Sequence, residues 1–167
     1  MYFSGFSLQN ESELFNKYII SNDFTVSGFS YGAIKALEYT LNTTNRVDTL
    51  QLFSPAYFND KDKKYRRLQM IFFNKDNESY CNNFLENSGF DKQKINKYFK
   101  IGTSKELEEL LYYKWCSEKC KELLDRNIKI EVYLGSDDKI VNTQEALEFF
   151  RQFAEVYYIK EASHILI

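Results

Sequence analysis

A five-residue segment, Gly28-Phe29-Ser30-Tyr31-Gly32, constrains the fold of this chain more than any other feature of its sequence. It follows a β-prone run, Phe24–Val26, and precedes a stretch with helical character from Tyr31 to Leu41. A serine on a sharp turn from strand to helix has a strained backbone, and its neighbours two positions away must be small. The segment therefore predicts a nucleophile elbow with Ser30 as the nucleophile, although so short a motif also occurs by chance.

Two further candidate catalytic groups lie downstream of the elbow. The only histidine of the chain, His164, follows an apolar run, Val156–Ile159, that is typical of a strand. Asp137 and Asp138 lie in a loop after another strand-like run. A serine nucleophile needs a base that takes its proton and an acid that orients the base. The sequence thus predicts a triad in the chain order Ser, Asp, His, with an ordinary structural histidine as the alternative for His164.

Strand-like and helix-like segments alternate over much of the chain, which predicts an α/β fold with a mostly parallel sheet of about five strands. Parallel strands bring the residues at their carboxyl ends to one edge of the sheet, where active sites lie. A helix is also expected over Asn10–Ile20, opened by a capping box of Asn10 and Glu13. The predicted strands are Tyr2–Phe3, Phe24–Val26, Val47–Phe53, Ile128–Leu134 and Val156–Ile159.

The segment from Ala56 to Asn127 contains no convincing strand pattern. Thr103 and Glu106 form a second predicted capping box, followed by leucines at helical spacing. We therefore expect one domain over residues 1–167, with a helical cap inserted at about 56–127 that covers the serine.

These features resemble the α/β-hydrolase superfamily across nearly the whole chain. The acid loop of that superfamily commonly reads Gly-x-x-Asp-x-x-Val, which Gly135, Asp138 and Val141 match. The resemblance therefore implies Asp138 as the triad acid, and Asp137 remains the alternative.

The oxyanion hole of a serine hydrolase needs two fixed N–H donors. Tyr31, directly after the nucleophile, supplies one through its backbone. The resemblance implies Phe6 as the other, because Ser4-Gly5-Phe6-Ser7 keeps the first glycine and the aromatic residue of the family's His-Gly-aromatic-Gly loop. Phe6 and Tyr31 are accordingly expected to bind substrate as well.

The beginning of the predicted cap carries two surface hypotheses. An apolar group is expected to line the entrance to the site, with a place in the core of the cap as the alternative. Its members are Leu68, Met70, Ile71, Phe72 and Phe73. A basic group is expected to dock an acidic partner, with a solvated helix face as the alternative. Its members are Lys63, Lys64, Arg66 and Arg67.

Composition excludes several other classes of protein. The chain has 167 residues, of which 44% are hydrophobic, and a net charge of −2, so it lacks the basic excess of a nucleic-acid-binding protein. It shows neither an apolar run of transmembrane length nor a signal-peptide pattern, so we expect no membrane association and a cytoplasmic location. Cys81, Cys116 and Cys120 form no C-x-x-C pair, and neither a metal site nor a cofactor is expected.

The short form resembles one family in particular, the pimeloyl-acyl-carrier-protein methyl ester esterases of biotin synthesis (BioV type). The resemblance is carried by Phe3-Ser4-Gly5-Phe6, Asn10-Glu11-Ser12, the elbow and Ser163-His164. It implies hydrolysis of the methyl ester of pimeloyl-acyl carrier protein to methanol and the free distal carboxylate. Acyl carrier proteins are acidic, so the resemblance also gives the basic group its partner.

Two other functions stay open from the sequence: a carboxylesterase that acts on other acyl esters, and an inactive hydrolase-like binding module. The sequence leaves no room for the first strands of the usual hydrolase sheet, nor for a long helix after His164. An exposed sheet edge can pair with another chain, so we expect either a monomer or an edge-mediated dimer.

Overall fold

One sheet of five parallel strands organises the molecule. The computed structural model describes residues 1–167, and the strands lie side by side in the order of the sequence. Every pair of neighbouring strands is parallel, which confirms the predicted α/β class and the number of strands. The strands are β1 (Tyr2–Phe3), β2 (Thr25–Phe29), β3 (Thr49–Phe53), β4 (Lys129–Gly135) and β5 (Glu155–Ile159).

Helices fill the connections between the strands, and α1 (Tyr31–Asn42) joins β2 to β3. Five helices lie between β3 and β4, in the segment where the sequence predicts an insertion, and we refer to them together as the cap. They are α2 (Lys63–Lys75), α3 (Asn77–Ser88), α4 (Lys92–Tyr98), α5 (Ser104–Tyr112) and α6 (Ser117–Asp125). The last helix, α7 (Thr143–Phe150), joins β4 to β5. None of these helices combines the length and the apolar character needed to cross a membrane.

Side-chain caps set where most of the helices begin. The capping box predicted before α5 is present: Thr103 Oγ1 accepts the Glu106 N–H at 3.2 Å, and Glu106 Oε2 accepts the Thr103 N–H at 2.8 Å. Carboxylate or amide oxygens accept a first-turn N–H in the same way at four other helices. These N-caps are Asp62, Asp76, Asp91 and Asn142.

The predicted helix over Asn10–Ile20 is wrong, because the structure contains only a short 3-10 helix, Glu11–Phe15. The residue before it has a left-handed backbone, with φ of 59°, and makes no side-chain cap. The carboxylate of Glu13 instead accepts hydrogen bonds from Lys97 and Tyr98 at the end of α4. Contacts with a distant helix thus replace the local capping box that the sequence pattern favours.

The sheet packs differently on its two faces. On one face, aliphatic residues of the three central strands join α1, α6 and α7 in the main hydrophobic core. These strand residues are Val26, Leu50, Leu52, Ile130, Val132 and Leu134. Their alternation along each strand is the pattern expected for side chains that share one face of a sheet.

On the other face, the strand register aligns a row of aromatic residues, Phe29, Phe53, Tyr133 and Tyr157. Phe15 of the 3-10 helix covers this row, with its ring centroid 4.9 Å from those of Phe29 and Phe53. Phe15 is fully buried. These two ring contacts of Phe15 anchor the short helix that follows β1 on the sheet, and Tyr18 also packs against Phe53 and Tyr133.

Phe15→Ala should lower the free energy of unfolding by about 3–5 kcal/mol, because it removes a large buried ring and leaves a cavity over the aromatic row. Phe24→Ala serves as the matched control, because Phe24 is 40% exposed, and should cost about 0.5 kcal/mol or less. Urea unfolding followed by circular dichroism measures both values. A cost below about 1 kcal/mol for Phe15→Ala would contradict its role as the anchor.

Candidate active site

Ser30 lies on the sharp turn between β2 and α1. Its backbone has φ of 53° and ψ of −111°, a conformation that is costly for any residue but glycine and that requires support from its surroundings. A Cβ on Gly28 would lie 2.2 Å from the carbonyl oxygen of Gly32, and a Cβ on Gly32 would lie 2.0 Å from the carbonyl oxygen of Phe3. No side chain fits at either position, which is the steric reason for the two glycines.

Backbone hydrogen bonds attach the elbow to the end of β3. The Ser30 N–H donates to the Phe53 carbonyl at 2.9 Å. The Ser30 carbonyl accepts the Ala33 and Ala56 N–H groups at 3.1 and 3.2 Å. Both the N–H and the carbonyl of Ser30 are therefore hydrogen-bonded, which fixes the backbone from which the serine side chain extends.

A continuous series of hydrogen bonds runs from Ser30 through His164 to Asp138. His164 Nε2 lies 2.9 Å from Ser30 Oγ, and His164 Nδ1 lies 2.5 Å from Asp138 Oδ2. The side chains of His164 and Asp138 are both 0% exposed. With the proton on Nδ1 held by the carboxylate, Nε2 is free to accept the proton of the serine hydroxyl. The arrangement is therefore chemically able to generate a serine nucleophile.

The structure distinguishes the two aspartates that the sequence left open. Asp138 uses its second oxygen, Oδ1, to accept the N–H groups of Ile140 and Val141 at 2.7 and 3.1 Å. Asp137 is exposed, and its carboxylate accepts a hydrogen bond from Ser136 Oγ at 2.8 Å. Only Asp138 contacts His164, and the loop fixes its carboxylate from the side opposite the imidazole.

The loop that carries His164 is held by two neighbours. The Asp137 N–H donates to the carbonyl of Ala162 at 2.9 Å, which ties the acid loop to the histidine loop. The Ile165 N–H donates to the Ser88 carbonyl at the end of α3 at 3.2 Å. The imidazole also packs against the ring of Phe29, with 5.1 Å between the ring centroids. The base is thus oriented by the sheet, the acid loop and the cap.

The two predicted oxyanion donors lie at the ends of adjacent strands, since β1 pairs with β2 and precedes the Phe6 loop. The Tyr31 N–H belongs to the first residue of α1 and has no acceptor within that helix. The Phe6 N–H takes part in no hydrogen bond. Both backbone donors are therefore available to a developing oxyanion.

The side chains of Phe6 and Tyr31 connect the site to the cap. The Phe6 ring packs against Phe73 and Phe84, with centroid distances of 6.2 and 5.5 Å. The Tyr31 hydroxyl donates to the carboxylate of Glu109 in α5. Burial and this hydrogen bond raise the pKa of Tyr31 well above its ordinary value, so the hydroxyl remains a donor. Both predicted substrate-binding side chains thus contact cap helices.

A cavity of about 290 Å³ lies between the cap and the acid loop. It adjoins the site on two sides, because Ile140 also donates its N–H to Asp138 and Phe84 also packs on Phe6. Ser30 is 1% exposed, so the groups that cover its hydroxyl must shift before a substrate reaches it. The cavity is lined by Phe58, Tyr65, Gln69, Tyr80, Asn83, Phe84, Asn87, Leu110, Leu111, Lys139 and Ile140.

The predicted apolar entrance needs correction. Leu68, Ile71 and Phe72 are 39%, 48% and 54% exposed and lie on the outer side of α2, away from the cavity. Met70 is half-buried against the main core. Tyr65 and Gln69, which are four residues apart and therefore neighbours on the helix surface, line the cavity instead. No sequence motif marks these two residues, so they could not be predicted from the sequence.

The basic group needs one correction as well. Lys63, Lys64 and Arg67 are exposed, but Arg66 is only 6% exposed and cannot meet a partner. Its Nη2 donates to the carbonyl of Phe58 at 2.8 Å, and its guanidinium lies 5.5 Å from the centroid of another cap residue, Tyr112. Arg66 therefore stabilises the interior of the cap.

No cluster of three or more His, Cys, Asp or Glu side chains suited to a metal ion occurs in the structure.

Asp138→Asn should slow the reaction of Ser30 with a fluorophosphonate probe by roughly 10²- to 10⁴-fold, because the amide no longer holds the imidazole in the required tautomer. Asp137→Asn is the matched control and should change the rate less than about threefold. Labelling followed by intact mass spectrometry measures both rates. Equal rates for the two variants would contradict the assignment of Asp138.

Comparisons with known proteins place this geometry in context. No family model and no curated protein matches the sequence. Among solved structures, an esterase from Exiguobacterium antarcticum matches with a TM-score of 0.63 at 18% identity, over 92% of this chain and 63% of that protein. A bromoperoxidase from Bacillus anthracis matches with a TM-score of 0.66 at 16% identity, over 84% of this chain and 60% of that protein.

BioG from Haemophilus influenzae matches with a TM-score of 0.63 at 14% identity. This match covers 99% of the present chain and 87% of BioG. The chain therefore spans less than two thirds of the esterase and the bromoperoxidase, but most of BioG. At these identities the likeness concerns the fold.

Proposed function

We propose that this chain, which has the α/β-hydrolase fold, is a serine carboxylesterase with Ser30 as nucleophile, His164 as general base and Asp138 as the orienting acid. One observation carries the proposal: the hydrogen-bonded series Asp138–His164–Ser30 begins on a strained elbow at the carboxyl edge of the sheet. A fold alone does not determine a function, so the support for this function comes from the arrangement of the three side chains.

In the first half of the reaction, His164 Nε2 takes the Ser30 hydroxyl proton while Oγ attacks the ester carbonyl carbon. The carbonyl π bond opens, and the backbone N–H groups of Phe6 and Tyr31 stabilise the resulting oxyanion. As the carbonyl re-forms, the bond to the alkoxy group breaks. His164 gives its proton to that group, which leaves as an alcohol, and Ser30 carries the acyl group.

In the second half, a water molecule replaces the alcohol. His164 takes a proton from this water while the water oxygen attacks the carbonyl carbon of acyl-Ser30. The second tetrahedral intermediate collapses to a carboxylic acid, and His164 returns the proton to Ser30 Oγ. Asp138 keeps the imidazole oriented and stabilises its protonated form in both halves.

For the substrate, we propose the methyl ester of pimeloyl-acyl carrier protein, hydrolysed to pimeloyl-acyl carrier protein and methanol in biotin biosynthesis. The resemblance to the short BioV-type esterases supports this choice. The near-complete overlap with BioG, a protein of similar length, is consistent with it. Hydrolysis of other acyl esters is the alternative, because the acyl length that the cap accepts depends on how its side chains move.

Wild-type protein should cleave pimeloyl-acyl carrier protein methyl ester, and Ser30→Ala should be slower by about three orders of magnitude or more, because the nucleophile is lost. Ser104→Ala removes an exposed serine of the cap and should retain wild-type activity, which makes it the matched control. A mobility shift of the carrier in gel electrophoresis measures cleavage.

The outcomes separate the possible functions. Cleavage of a small chromogenic ester without cleavage of the carrier-linked ester would retain the esterase and reject the substrate. Full activity of Ser30→Ala would reject the nucleophile. Failure of wild type on both esters would favour a binding module.

We propose further that acyl carrier protein docks on the outer side of α2. Basic side chains there lie beside an apolar centre formed by Leu68, Ile71 and Phe72, all of which are exposed. The basic residues are Lys63, Lys64, Arg67 and Lys75. Opposite charges on two partners accelerate their encounter, and an apolar centre adds buried area once they are in contact. An acidic carrier fits both properties.

Lys63→Glu, Lys64→Glu and Arg67→Glu combined should reduce kcat/KM for the carrier-linked ester at least about tenfold at low salt, because charge reversal slows association. Activity on a small ester should not change. Steady-state kinetics on both substrates makes the comparison. A control with the same charge change reverses three exposed residues elsewhere, Lys121, Arg151 and Lys160, and should leave both activities intact. Equal losses on both substrates in the α2 variant would contradict the docking proposal.

A further inference from the structure

Glu11 is a fully buried carboxylate that the proposed mechanism does not use. It forms no salt bridge. Its Oε1 accepts the Gly5 N–H at 2.9 Å and the Tyr2 hydroxyl at 3.0 Å. Its Oε2 is buried without any hydrogen-bond partner. Burying a carboxylate with so few partners is unfavourable, so its position beside the Phe6 loop calls for an explanation.

The Gly5 backbone is the point where Glu11 acts on the candidate oxyanion hole. The Gly5 N–H is held by Glu11, and the Gly5 carbonyl accepts the Leu8 N–H at 3.3 Å. The peptide between Gly5 and Phe6 is planar and trans, so the Phe6 N–H points away from that carbonyl. Fixing Gly5 on both sides therefore fixes the direction of the Phe6 N–H. Without such bonds, glycine would be the most freely rotating residue of the loop.

Glu11 is itself held firmly enough to serve as a reference point. The Tyr2 hydroxyl donates to the same oxygen as Gly5. Burial and the adjacent Glu11 carboxylate raise the pKa of Tyr2 far above its ordinary value, so its hydroxyl remains a donor. One turn further along the 3-10 helix, Phe15 lies stacked on the sheet. The short helix that carries the carboxylate is therefore packed on the sheet, and the carboxylate itself is bonded to the loop.

We infer that Glu11 is a positioning residue: by accepting the Gly5 N–H it aims the Phe6 N–H at the oxyanion that forms on attack by Ser30. The inference rests on the proposed esterase function, because it assigns Phe6 as an oxyanion donor. It predicts that hydrogen-bond acceptance is what matters at this position. Glu11→Gln, which keeps a carbonyl oxygen at this position, should therefore retain activity, whereas Glu11→Leu, with a side chain of similar size, should lose it.

The experiment compares Glu11→Leu with Glu11→Gln, using the kcat and KM of the intact protein on a small chromogenic ester. Glu11→Leu should lower kcat by roughly 10- to 100-fold with KM unchanged, because a misdirected donor weakens binding of the transition state and not of the substrate. Glu11→Gln should remain within about threefold of wild type, which is the rescue by the conservative variant.

Three results would overturn the inference. One is a folded Glu11→Leu with wild-type kcat, and another is a Glu11→Gln as impaired as Glu11→Leu. If Glu11→Leu does not fold, amide hydrogen exchange of the wild type decides, because a Gly5 amide that exchanges as fast as an unstructured one would remove the bond on which the inference depends. These failures are distinct from failure of the proposed function, in which wild type would neither cleave the ester nor react with a fluorophosphonate at Ser30.

Discussion

The site depends on how closely the first turn of α1 packs against the ends of β1 and β2. Gly32 lies so near the carbonyl of Phe3 that no side chain fits between them, and Gly28 faces the backbone of the same turn. This contact forces Ser30 into its strained conformation and brings the loop after β1 beside the nucleophile. If the backbones were further apart, the strain on the serine would relax and the loop after β1 would lie further from it.

A small parallel sheet suffices to assemble the remaining groups. The acid loop follows β4 and the histidine loop follows β5, so both approach the elbow from the same edge of the sheet. The short 3-10 helix on the other face, anchored by Phe15, holds Glu11 against the Gly5 backbone. Packing in the core and geometry at the site are thus coupled through a few residues. The cap contacts this region through Phe6 and Tyr31.

The sequence predicted the sheet, and it indicated Ser30, His164 and the aspartate loop, because each lies in a local pattern: glycines at fixed spacing, an apolar run, or a polar loop after a strand. The choice of Asp138 over Asp137 came from the family resemblance. It could not determine which side of α2 faces inward, because apolar residues occur on both sides, with Phe73 buried and Phe72 exposed. For a related reason, Arg66 was wrongly placed on the docking surface, and Glu11 was given no role of its own. A charged side chain is buried only when distant backbone groups form hydrogen bonds with it, and a local sequence pattern does not reveal those partners.

In the proposed mechanism, Ser30 forms a covalent acyl intermediate whose hydrolysis requires His164 and Asp138. The most direct test is intact mass spectrometry of the protein, quenched in acid during turnover of an activated acetyl ester, followed by peptide mapping. One acetyl group is expected on Ser30, and it should persist longer in Asp138→Asn because deacylation needs the oriented base. Turnover without an adduct on Ser30, or an adduct on another residue with the same kinetics, would contradict this mechanism.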